Sequence, residues 1–206
     1  LGSDTFAIKE INSYLNKLTD RTVTKITTEI KTRLVGRDYL QNMILETLVE
    51  KCLIYPQYIP VYLTLLGDVF EGSNIHPAFV ECIHTVFDKV LKAEIDTNES
   101  EYLQFCDKNK RLDKVIGHAL LLAECEKRHI VEGKIHPRVI YLLKILGETS
   151  DTDEKYKGVQ CVYTIFKSLY GGKLLPPHYH KTVDTLIKLE TSPKIKYKLM
   201  DVLERR

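Results

Sequence analysis

Apolar residues recur along this chain at spacings of three and four. Ile8, Ile11, Leu15 and Leu18 fall on one side of a helix, and Val23, Ile26, Ile30 and Leu34 on the next. Leu40, Ile44, Leu48 and Cys52 continue up to Tyr55-Pro56, where the residue before proline is pushed out of the α region. Val61, Leu65 and Val69 follow; past Gly72-Ser73-Asn74 come Phe79, Ile83, Val86, Phe87 and Val90. At the first seam Thr19 is expected to cap the second helix, its hydroxyl accepting a backbone N–H.

The second half repeats the habit. After the polar link at 94–101, the spacing predicts a short helix through Tyr102 and Phe105. A stronger one is expected at Leu112, Val115, Ile116, Ala119 and Ala123. Pro137 opens another and Gly147 closes it. Val159, Val162, Phe166 and Leu169 run up to Gly171-Gly172. Val183, Leu186 and Leu189 follow Pro176-Pro177, and the last helix starts at Pro193. The sum is about ten helices of roughly 12 to 18 residues, with short links that force antiparallel neighbours. One such pair cannot bury both apolar faces, whereas stacked pairs build a continuous core. The predicted class is all-α, an α-solenoid of antiparallel helix pairs with degenerate repeats; a globular bundle is the structural alternative.

Composition changes this picture little. The 206 residues are 44% apolar and 28% charged, enough for one large or two small domains. Thirty Lys+Arg against 28 Asp+Glu leave +2, so nucleic-acid contact would need a local patch. No apolar run reaches the ~18 residues of a membrane span. Leu1-Gly2-Ser3 reads as the remnant of a cleaved expression tag, leaving 4–206 as a single domain taken from a longer protein. The five cysteines are odd in number and lack a C-x-x-C pair. They read as small core residues of a reducing compartment, cytosol or nucleus.

No phosphate-binding, nucleophile-elbow or H-E-x-x-H motif occurs, and no catalytic residue, metal or cofactor is expected. His178 and His180 lack a third ligand and read as solvated loop histidines; Asp151 and Asp153 read as link residues that favour solubility. The C-terminal stretch says more. At 100° per residue, Ile195, Leu199, Val202 and Leu203 face the core, while Lys194, Lys198 and Arg205 share a flank with Asp201. Tyr197 lies almost opposite the buried side. It is either a binding aromatic or a ring lying over neighbouring aliphatic stems. A second basic cluster, Lys108, Lys110, Arg111 and Lys114, leads into a helix. It reads either as a set of RNA phosphate contacts or as a solvated helix end diluted by Asp107 and Asp113.

Four stretches, in order, resemble the middle domain of the eukaryotic initiation factor 4G family. They are "INSYLNKLTDRTVTKI", with Leu15 to Thr19; "LETLVEKCLIYPQYIPVYLTLL", Leu45 to Leu66; "RLDKVIGHALLLAECEKRHIVEGKI", with Gly117-His118; and "SPKIKYKLMDVLERR". The resemblance implies a non-catalytic scaffold of about five HEAT-type helix pairs. It also implies a partner, a DEAD-box RNA helicase of the initiation factor 4A type, whose two lobes the scaffold holds in a productive orientation. Several members of the family bind RNA. Tyr197 matches the closing-helix aromatic associated with helicase contact, with Lys194 and Lys196 in place of two arginines; Asp201 and Arg205 complete the candidate face. Two departures stand out: Gly117-His118 replaces Gly-Asn, and Phe79-Val80-Glu81-Cys82-Ile83 lacks both arginines of a basic family stretch, which argues against general RNA affinity. The expected protein is a cytoplasmic scaffold in translation initiation. The alternatives are a related scaffold in mRNA decay, splicing or poly(A)-binding-protein regulation, acting by RNA binding or peptide docking.

Overall fold

Every regular element among the described residues is helical, as the three-and-four spacing predicts. The computed structural model describes residues 3–93, 98 and 100–204; Leu1 and Gly2 of the expected tag remnant, and Arg205, lie outside that range. Within it run α1 (Asp4–Asn16), α2 (Val23–Leu34), α3 (Gln41–Ile54), α4 (Ile59–Val69) and α5 (His76–Lys92). They are followed by α6 (Glu101–Lys127), α7 (Ile135–Glu148), α8 (Thr152–Tyr170), α9 (Pro177–Leu189) and α10 (Pro193–Glu204).

Several starts are fixed by short polar side chains that accept otherwise free N–H groups. Ser3 accepts from Phe6, and Ser100 from Leu103. Asp151 accepts from both Asp153 and Glu154, at 2.9 and 3.1 Å, so this carboxylate caps α8 rather than merely solvating a link.

Three local expectations are corrected. Thr19 does not cap α2. The chain makes a turn from Thr19 to Thr22, where Thr22 Oγ1 accepts the Thr19 N–H at 2.8 Å and donates to the Lys17 carbonyl at 2.9 Å. The two helices expected around Phe105 and Val115 are one helix, α6, because no glycine or proline interrupts Glu101 to Ile116. Gly147 does not end α7, which continues through it to Glu148 and stops where Thr149 turns extended.

The chain divides into two compact units, 1–94 and 95–206. In the first, α1 pairs with α2, α2 packs on α4 and α3 on α5. Ile11, Leu15, Ile30, Ile44, Leu48, Leu65 and Ile83 are all but sealed from solvent there. Each such burial contributes ~1.5–3 kcal/mol. Arg33 ties α2 to α1 at its rim, reaching Glu10 at 3.0 Å and the Tyr14 hydroxyl at 3.1 Å.

In the second unit α8 is central. It packs on α6, α7 and α10, while α9 packs on α10 and also meets α7. Val159, Val162, Ile165 and Phe166 of α8 are buried with Leu142 and Leu146 of α7 and with Ile195, Leu199 and Val202 of α10. Gly158 permits the close approach of α8 and α7, since a Cβ there would lie 3.0 Å from Leu146 Cδ2. Gly171 ends α8 at φ 52°, a left-handed conformation that side chains resist.

Candidate functional site

The predicted face of α10 begins with Pro193 at the first helical position and the Lys196 N–H bonded to the Ser192 carbonyl. Ile195, Leu199 and Val202 point into the core, while Leu203 is half-buried. Tyr197 is 68% exposed, so the ring is not spread over neighbouring stems. Met200, one turn on, is 40% exposed. Lys196 and Asp201 are exposed as well.

The flanking lysines are not free in solvent. Lys194 Nζ lies 4.1 Å from the centre of the Tyr156 ring, and Lys198 Nζ 4.0 Å from that of Tyr163. Lys167 approaches the Tyr163 ring at 5.5 Å, its Nζ 3.3 Å from the hydroxyl oxygen. Ring quadrupoles hold such cations by ~0.5–2 kcal/mol each without cancelling their charge. Asp201 sits 3.9 Å from Lys198. Tyr156 and Tyr163 were missed in the sequence. The available signal was their spacing of seven along α8, which brings them to one side of that helix.

The position of α10 is fixed from below. Lys155 Nζ of α8 donates to Glu190 at 2.9 Å, and the Ser192 N–H donates to the same carboxylate. Burial pushes the pKa of Glu190 up. The hydrogen bonds from Lys155 and from the backbone N–H groups of Ser192 and Thr191 outweigh this and leave it below its ordinary value.

The second basic cluster sits mid-helix on α6. Lys108 Nζ is 2.8 Å from Glu154, a hydrogen bond that raises the lysine's pKa, and Lys110 pairs with Asp107 at 3.3 Å. Asp113 in the same stretch holds Lys157 at 2.8 Å. Arg111 and Lys114 are half-buried. Lys108 and Lys110 of this cluster are thus matched by carboxylates.

His178 and His180 stand exposed in the first turn of α9 rather than in a loop. Between them Tyr179 is buried and meets His136 Nδ1 at 2.5 Å, with its pKa pushed up to about 12 by burial and by Tyr170 and Glu126. Among the described residues no group of three or more His, Cys, Asp or Glu is placed to hold a metal ion, and no helix is long and apolar enough to cross a membrane.

Residues 8–206 match the model of the MIF4G domain, the middle-domain type of eukaryotic initiation factor 4G. Among curated proteins none matches the chain. The match spans nearly the whole sequence, and the chain belongs to the MIF4G family. Domains of this family are all-α and HEAT-like, act as scaffolds in translation or mRNA metabolism, and are generally non-catalytic.

Proposed function

We propose that this MIF4G domain works in translation initiation, in the cytoplasm, by binding and orienting a DEAD-box RNA helicase of the initiation factor 4A type. The observation that carries the reading is Tyr197, an aromatic ring left in solvent on α10 among lysines. Exposed aromatics of this kind anchor interfaces because they bury large area at low entropic cost. Lys194, Lys196, Asp201 and Arg205 complete the contact. The family match runs across both compact units, which supports 4–206 acting as one domain.

The mechanism needs no chemistry from the scaffold. If it binds the helicase's productive conformer more tightly than the open one, it shifts the population and raises turnover. ATPase measured with and without the domain tests this. Stimulation is expected, with a loss of about thirtyfold in affinity on Tyr197→Ala at unchanged thermal stability. No stimulation together with no pull-down would refute it. A direct RNA role through Lys108, Lys110, Arg111 and Lys114 is the weaker reading, since Lys108 and Lys110 are already paired with acids.

A further inference from the structure

The strip shared by α8 and α10 has a composition that specifies its partner more narrowly than the family does. No carboxylate among the described residues pairs with Lys167 or Lys194, whereas Lys155 and Lys157 of α8 each have one. Lys167 and Lys194 rest against tyrosine rings, so their positions are partly set before anything binds. Ordering them later costs less entropy than ordering mobile side chains. Beside these cations stand two exposed apolar side chains, Tyr197 and Met200, one helical turn apart.

We propose that this strip receives an acidic, amphipathic helical segment of a protein partner, its carboxylates on the lysines and its apolar residues on Tyr197 and Met200. This rests on the reading of α10 as a docking face and names the chemistry of what docks there. Single-stranded RNA fits less well: a run of stacked bases needs several open ring faces, and the protein's own lysines already lie against Tyr156 and Tyr163, which leaves Tyr197 as the one exposed ring of α8 and α10.

The test uses a labelled peptide of about four helical turns, with Glu on its polar side and Leu and Phe at helical spacing. Two controls accompany it, the same peptide with Lys for Glu, and oligouridylate. The acidic peptide is expected to bind the intact chain, its amide shift changes confined to α8 and α10, and the Lys version is not. Lys167→Glu with Lys194→Glu should weaken binding about tenfold; Lys167→Glu alone, at an exposed position, gives a smaller loss should the pair disturb folding. Unchanged affinity after charge reversal, shifts elsewhere, or binding of oligouridylate in place of the peptide would overturn the proposal. Peptide binding without helicase stimulation sinks only the helicase reading; stimulation without peptide binding sinks only this one.

Discussion

The two basic clusters of the second unit hold similar lysines in opposite settings. On α6, Lys108 and Lys110 face Glu154 and Asp107 at ion-pair distance. On the α10 side, Lys194 lies over Tyr156 with no carboxylate paired to it among the described residues, and Lys198 lies over Tyr163 with only the longer contact to Asp201, 3.9 Å, beside it. A carboxylate cancels most of a lysine's field, while a ring fixes the lysine and leaves its field intact. Clusters that look equal in the sequence therefore present unequal potentials. What a lysine leans on, more than how many lysines there are, decides which surface attracts an anion.

The strongest way to break this comparison is to cut the anchor beneath α10. Glu190→Ala leaves Lys155 and the Ser192 N–H without their acceptor, and the expected cost is about 2 kcal/mol, read as a lower urea midpoint. No change would mean that the ring contacts and core alone hold α10. The same group predicts an acid response. Its folded pKa lies below its unfolded one, so its contribution is full above the ordinary value of 4.5. That contribution fades as pH falls through the depressed value, and Glu190→Ala should flatten this part of the acid curve.

A smaller effect is expected on the α6 side. Glu154→Gln removes the charge facing Lys108 at a cost of about 0.5–1 kcal/mol, and it should raise the affinity of the α6 cluster for a polyanion measured at low salt. If affinity does not rise, the carboxylates are not what silences that cluster. The smallest effect sharpens the distinction itself. A double-mutant cycle of Tyr163→Leu with Lys198→Met should show coupling of about 0.5–1 kcal/mol in thermal or urea unfolding. Zero coupling would reduce the ring contact to proximity.

The stacked helices were legible because apolar periodicity is a property of each segment by itself. Ile195, Leu199 and Val202 could be assigned to the core from spacing alone, and they are buried. The exposure of Tyr197 followed from the same arithmetic. Failures came where a partner lay outside the local pattern. Thr19 is the expected cap of α2, and the turn instead has Thr22 accept its N–H and bridge back to Lys17. The tyrosines of α8 gain meaning only from lysines about forty positions later, a pairing that no local periodicity encodes. The acid that faces Lys108 likewise belongs to another helix, so the local pattern of α6 could not supply it.

Glu154 and Lys155 are consecutive residues whose side chains reach different neighbours, Lys108 of α6 and Glu190 beside α10. That makes the phase of α8 behind its Asp151 cap consequential. One residue inserted into the first turn of α8 would turn the rest of the helix by about 100° relative to that cap. Tyr156 and Tyr163 would swing away from their lysines, and a side chain would replace Gly158 against Leu146. A length change that the connection before the cap absorbs would here re-index a whole helix, so this turn should tolerate substitution far better than insertion.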